Sequence, residues 1–177
     1  ICLPMFSLKK TVLYVIKIIY YLFNVEINKS HLIKNNMTPM SIPSTWQLDH
    51  IGIAVSSLDT ALEQYEILLG TQHYGREHVH SQGVEVAFLD TSNARIELLA
   101  PLSLESSVAK FINKRGEGMH HTAFLVNDIQ SELDRLSALG WDLIHHQPIS
   151  GAHGKWVAFL HPKSAHGVLI ELCAYKN

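Results

Sequence analysis

From Trp46 onward the apolar and polar positions fall into short runs of strand and helix type, and the order of those runs occurs twice. Trp46–Val55 reads as a strand that stops at Ser56-Ser57, residues suited to cap a helix. Leu58, Leu62, Tyr65, Leu68 and Leu69 then recur at helical spacing until Gly70 ends the run. Residues 71–82 read as a polar loop with a weakly signalled strand. Gly83–Leu89 and Ala94–Ala100 read as strands around a turn at Asp90, Ser92 and Asn93. After Pro101 a linker helix is expected, with Leu104, Val108, Phe111 and Ile112 on one face and Gly116-Glu117-Gly118 at its end. The second unit follows: strand Met119–Val126, a cap at Asn127 or Asp128, helix Ile129–Leu139 stopped by Gly140. Strands are then expected near Asp142–His145, Lys155–Leu160 and Val168–Ala174. Each unit is β-α-β-β-β.

The letters repeat with the pattern. Asp49-His50-Ile51-Gly52-Ile53-Ala54-Val55 is echoed 71 residues later by His120-His121-Thr122-Ala123-Phe124-Leu125-Val126. At the same offset Val86-Ala87-Phe88-Leu89 returns unchanged as Val157-Ala158-Phe159-Leu160. Arg95-Ile96-Glu97-Leu98-Leu99-Ala100 returns as Leu169-Ile170-Glu171-Leu172-Cys173-Ala174. Each copy opens with a histidine and closes with a glutamate. Order, offset and local sequence agree, which marks an internal duplication.

Strand alternation decides what those residues face. His50, Gly52 and Ala54 share one side of their strand, and Ile51, Ile53 and Val55 share the side that suits packing under a helix. His121 repeats the arrangement beside Ala123, while His120 has the opposite parity. Glu97 and Glu171 sit between apolar neighbours and so point away from the helix-packed side. A lone strand glutamate of this kind ordinarily faces solvent, and a lone strand histidine is ordinarily just hydrogen-bonded. Recurrence of both at equivalent positions makes His50, Glu97, His121 and Glu171 a candidate N₂O₂ metal set. Imidazole with carboxylate suits a borderline divalent ion such as Co²⁺, Mn²⁺, Ni²⁺, Fe²⁺ or Zn²⁺.

Composition narrows the class. The chain has 177 residues, 47% of them apolar and 17% charged, enough to build a core and too apolar for disorder. A net charge of −2 argues against a nucleic-acid surface. Cys2 and Cys173 lie at opposite ends, which gives no disulfide framework and makes a reducing cytoplasm the default. The first 36 residues differ: Ile, Lys, Asn and Tyr supply 18 of them, and Gly, Ala, Asp, Gln, Arg and Trp are missing. The apolar run Thr11–Val25 is short for a membrane span and carries Lys17. Residues 1–45 are therefore expected to be a biased extension and linker outside the functional chain, which starts near Met37 or Met40. A membrane-associated helix or a tail packed on the domain are the alternatives.

Paired β-α-β-β-β units with His and Glu on their outer strands resemble the vicinal-oxygen-chelate, glyoxalase-like superfamily. Within it the chain is similar to the methylmalonyl-CoA epimerase family. The resemblance covers Leu48 to Leu172. It is carried by the Leu48–Val55 and Ile96–Leu102 stretches and by Lys114-Arg115-Gly116-Glu117-Gly118-Met119-His120-His121. Gly151-Ala152-His153-Gly154-Lys155, Phe159-Leu160-His161-Pro162-Lys163 and Gly167–Leu172 complete it.

What the resemblance implies is an α+β fold. Two tandem modules, about residues 46–100 and 119–177, form a curved, partly closed mixed sheet around a metal site, with helices outside. It further implies a homodimer, and one divalent metal ion (Co²⁺ first, then Mn²⁺, Ni²⁺ or Zn²⁺) on His50, Glu97, His121 and Glu171. The reaction would interconvert the two configurations of an acyl-CoA thioester at the carbon between its carbonyl and a carboxylate. Glu171 is the favoured acid-base residue, with Glu97 the other catalytic candidate. Some relatives place a second carboxylate on the strand after the Gln-Gly pair. Here, after Gln82-Gly83, the matching residue is Val86, and Glu85 has the wrong parity. Lys114, Arg115, Lys155 and Lys163 are the candidate partners for the CoA phosphates. No nucleic-acid partner is expected, and no membrane apart from the N-terminal segment. The rival readings are a glyoxalase I-type lyase, a ring-cleaving dioxygenase with three ligands, and a metal-free protein of the same fold that binds a small ligand.

Overall fold

The computed structural model of the chain describes residues 46–176. The expectations for residues 1–45 lie outside the described residues. The first unit consists of β1 (Gln47–Ala54), α1 (Leu58–Leu69), β2 (Tyr74–Val79), β3 (Val84–Asp90) and β4 (Arg95–Pro101). A linker helix α2 (Ser107–Arg115) leads to β5 (Gly118–Leu125), α3 (Ile129–Ala138), β6 (Ile149–Ser150), β7 (Lys155–Leu160) and β8 (Leu169–Tyr175). All eight strands form one mixed sheet in the order β2-β3-β4-β1-β5-β8-β7-β6. The first and last strands of each unit are parallel neighbours, and the units join through antiparallel β1 and β5.

Helix ends follow the side chains that satisfy them. Ser57, Ser106 and Asp128 accept hydrogen bonds from the backbone N–H groups of Thr60, Ala109 and Ser131. Gly70 closes α1 in the left-handed conformation, φ 63°, which glycine adopts without a Cβ penalty.

The two outer cores match at seven positions. Val55, Leu58, Leu62, Ala87, Leu89, Leu98 and Ala100 pack under α1. Val126, Ile129, Leu133, Ala158, Leu160, Leu172 and Ala174 pack under α3. Glu97 and Glu171 lie between these core residues, so alternation turns both to the other, concave face. The linker helix α2 does not join the outer layer. Its Val108 packs with Ala54, Val79, Val84, Val86, Phe88 and Leu99, on the face that carries Glu97.

Three local expectations are corrected. Leu104 precedes α2 and is 81% exposed, so the helix buries Val108 and Ala109 instead. The last turn of α1 is exposed, Leu68 included, and its buried face is Leu58, Ala61 and Leu62. Residues 142–145 make only a single bridge, Leu143 to Leu160. There the His145 ring Nδ1 accepts from the Phe159 N–H at 3.2 Å, in place of a strand carbonyl, and β6 completes the edge.

No helix among the described residues is long and apolar enough to cross a membrane. Leu98 is fully buried. Leu98→Ala is expected to lower the unfolding free energy by about 2–5 kcal/mol in urea titration. Leu104→Ala should stay within about 0.5 kcal/mol of the parent protein.

Candidate metal centre

Four central strands bring the repeated residues together. In the β1–β5 seam His50 pairs with Ala123 and Gly52 pairs with His121, so each imidazole faces a small residue of the other unit. A Cβ on Gly52 would fall 2.2 Å from the His121 ring, so the glycine makes room for the second histidine. β4 and β8 flank the seam with Glu97 beside Gly52 and Glu171 beside Ala123. His50 Nε2 lies 3.0 Å from His121 Nε2. Glu97 Oε2 lies 3.3 Å from the first of these and 3.4 Å from the second. Glu171 offers Oε1 at 4.0 Å from His50 Nε2 and Oε2 at 3.5 Å from His121 Nε2. All four side chains are buried.

The seam slips register twice, between Leu48 and His50 and between Gly52 and Ile53. Asp49 in β1 and His120 in β5 are the residues left without a partner, and they are equivalent in the duplication. A bulge re-aims the side chain of its extra residue. The His50 Nδ1–H donates to Asp49 Oδ2 at 2.8 Å, which leaves the Nε2 lone pair for the centre. Parity alone sends His120 to the opposite face. The bulge instead sets its Nδ1 3.0 Å from His121 Nδ1, with its ring edge-on to Phe111. His121 is the histidine whose Nε2 meets the carboxylates.

Asp49 is itself held by two cations. Lys155 Nζ donates to its Oδ1 at 2.6 Å, and the Arg95 guanidinium pairs with its Oδ2. Lys155 is 4% exposed and committed to Asp49, which removes it from the residues available to a CoA phosphate. Lys114, Arg115 and Lys163 are exposed. Arg115 lies over the Phe111 ring and Lys163 is 3.7 Å from Asp142, so none of the three joins the cluster. Val86 is buried on the concave face and offers no acid-base group there. Glu85 pairs with Arg76 and His78.

The electrostatics favour a cation at the centre. Burial opposes a charge on His50, but the Glu97 charge and hydrogen bonds to Asp49 and Glu97, with Glu171 behind them, push its pKa up to about 10. Burial raises Glu97, and the two histidines overcome it, holding that carboxyl well below the usual range. Burial prevails at Glu171, whose carboxyl is pushed up against the pull of His121 and His50. The pocket thus stabilises one positive charge among two carboxylates. A divalent ion would draw on the same field. His50, His121 and Glu171 present ligand atoms within 4.8 Å of one another, and Glu97 adds a fourth next to both imidazoles. This donor set fits the borderline ions expected from sequence. The enclosed space, about 20 Å³, has room for an ion or a water, and Phe88, Gln82 and His153 help to line it.

Sequence reasoning missed Asp49, Arg95 and His153. A signal existed for the first network. Lys155 stands 71 residues after Val84, so a lysine occupies the counterpart of a buried strand position.

Residues 49–159 match the Glyoxalase/Bleomycin resistance protein/Dioxygenase superfamily. The ethylmalonyl-CoA/methylmalonyl-CoA epimerase of Cereibacter sphaeroides is 41% identical over 128 residues, covering 71% of this chain and 96% of that protein. The mitochondrial methylmalonyl-CoA epimerase of Homo sapiens is 38% identical over 133 residues, covering 73% of this chain and 76% of that protein. A variant of Streptomyces coelicolor methylmalonyl-CoA epimerase in complex with 2-nitronate-propionyl-CoA is similar in structure. Its TM-score is 0.71 at 37% identity, covering 75% of this chain and 96% of that one.

Removing the Asp49 charge leaves Lys155 buried without a partner. Asp49→Asn is expected to destabilise the fold by about 3–5 kcal/mol in urea titration at pH 7. Burial raises the Asp49 pKa, but His50 and Lys155 together pull it below its ordinary 3.8. Its contribution is therefore complete above about pH 4 and is lost as pH falls toward the folded value. The parent protein should lose stability in that acid window, and Asp49→Asn should lose less.

Proposed function

The chain belongs to the Glyoxalase/Bleomycin resistance protein/Dioxygenase superfamily, and from that premise we propose that it is a divalent-cation-dependent methylmalonyl-CoA epimerase. The observation that carries this reading is the convergence of His50, Glu97, His121 and Glu171 from both units on one buried point. Similarity to named epimerases over most of the domain supports the substrate.

The four side chains would hold the cation, with Co²⁺ preferred and Mn²⁺, Ni²⁺ or Zn²⁺ as substitutes. When bound it supplies a Lewis acid for negative charge that develops on the thioester oxygen. The chain's own residues do the rest. Glu171 takes or returns the proton of the carbon between carbonyl and carboxylate. Asp49 keeps His50 in the tautomer that presents Nε2, and Lys155 with Arg95 holds Asp49 in place. Burial of the cluster excludes bulk water, which strengthens each of these charges. Lys114, Arg115 and Lys163 are exposed cations available to the CoA phosphates. A homodimer belongs to the same reading and rests on the family resemblance, and a cytoplasmic location rests on the sparse cysteines.

The test is incubation of the Co²⁺-loaded chain with methylmalonyl-CoA in D₂O. Deuterium should be incorporated at the α-carbon, incorporation should stop after chelation and resume with the metal, and Glu171→Gln should abolish interconversion of the two epimers. Absence of deuterium together with consumption of the methylglyoxal–glutathione adduct would assign a lyase instead. Neutralising Lys114, Arg115 or Lys163 should raise KM and leave kcat nearly unchanged if the residue meets only the nucleotide end.

A further inference from the structure

Inverting a carbon centre requires proton donors on both of its faces, or one group that moves between them. Glu171 serves one face in the reading above, and Val86 leaves the second unassigned. The ionisable groups that line the enclosed pocket narrow the choice. Asp49, Arg95 and Lys155 are bound to one another in ion pairs. His50, Glu97 and Glu171 belong to the ligand set. His153 is the remaining titratable side chain among the described lining residues.

Its placement suits the task. His153 belongs to the second unit, in the turn before β7, yet its ring packs on Phe88 and Tyr74 of the first unit, at centroid distances of 4.2 and 5.6 Å. Phe88 pairs with Glu97 in the β3–β4 ladder. The imidazole therefore lies against β3, next to the strand that carries Glu97, and lines the same pocket as Glu171. His153 holds a left-handed backbone, φ 52° and ψ 36°, a conformation unfavourable for a residue with a side chain. The Glu77 carboxylate accepts the His153 N–H at 2.9 Å and pins the turn to β2. The duplication points to the same place. Gln82-Gly83 is the counterpart of His153-Gly154, the two glycines share φ values of 67° and 66°, and Gln82 also lines the pocket. One copy offers an amide there and the other an imidazole.

We propose that His153 is the acid-base group for the face of the α-carbon opposite Glu171. This rests on the epimerase reading. In one direction the α-C–H bond breaks as Glu171 takes the proton, and the electron pair passes into the enolate. A protonated His153 then gives its N–H proton to the other face as the new C–H bond forms. Glu171 ends protonated and His153 neutral. Exchange with solvent restores both, and the reverse reaction swaps their roles. Burial lowers the His153 pKa. Glu77 and Glu97 act to raise it and Arg95 and Lys155 to lower it, so the ring is mainly neutral at pH 7 and can accept a proton.

The test uses the full metal-loaded chain and each pure epimer of methylmalonyl-CoA in D₂O. His153→Gln should slow interconversion about 10²–10⁴-fold. One epimer should still exchange its α-hydrogen with retained configuration, through Glu171, while the other loses exchange. Interconversion at the parental rate, or equal loss of exchange from both epimers, would overturn the assignment. A parent protein that exchanges neither epimer would overturn the epimerase reading itself. A second readout is independent of turnover. In the Zn²⁺-loaded protein, saturation with propionyl-CoA should shift the His153 imidazole nitrogen resonances, assigned by their loss in His153→Gln. Unchanged resonances would show that the ring does not meet the acyl group.

Discussion

The antiparallel seam between β1 and β5 is the constraint on which the rest of the structure depends. It places each unit's histidine opposite the other unit's small residue, and it makes Gly52 indispensable to the position of His121. With that register fixed, the parallel neighbours β4 and β8 bring Glu97 and Glu171 to the same point. A slip of one residue in the seam would send an imidazole to the helix-packed face and dissolve the cluster. Neither unit forms the centre by itself, because each contributes one nitrogen and one carboxylate.

The two bulges add what strict alternation cannot. They turn equivalent residues, Asp49 and His120, toward the ring nitrogens that face away from the centre. The copies have diverged at that position. The first is a carboxylate locked by Lys155 and Arg95, and the second an imidazole beside Phe111. Burial and His121 lower the His120 pKa to about 4, so the second copy presents a neutral ring. A symmetric pair of ligands is thereby supported by an asymmetric surround. The same divergence recurs at Gln82 and His153. Duplication built the four-residue cluster, and differences between the copies supply the groups around it.

Much of this was legible in the chain. The offset of 71 residues located both histidines, parity selected the faces of Glu97 and Glu171, and Ser57, Asp128 and Gly70 marked helix ends where they occur. The direction of His120 was misread for a physical reason. Alternation assumes an unbroken ladder, and a bulge exists only when two strands pair, so the true direction of His120 could not be read from β5 alone. The partners of Asp49 lie 46 and 106 residues away, beyond any local pattern. Lys155 looked like a surface cation because its type is rarely buried, and only a distant carboxylate makes its burial tolerable. The left-handed turn at His153 likewise finds its hydrogen-bond partner, Glu77, in a different unit.

The central claim is that one cation sits between the two units, held by all four repeated residues. Crystals of the Co²⁺-loaded protein, measured at the cobalt absorption edge, test it most directly. One strong anomalous peak bounded by His50, Glu97, His121 and Glu171 is the expected result. Cobalt found only at exposed histidines, with that position empty of anomalous signal, would contradict it.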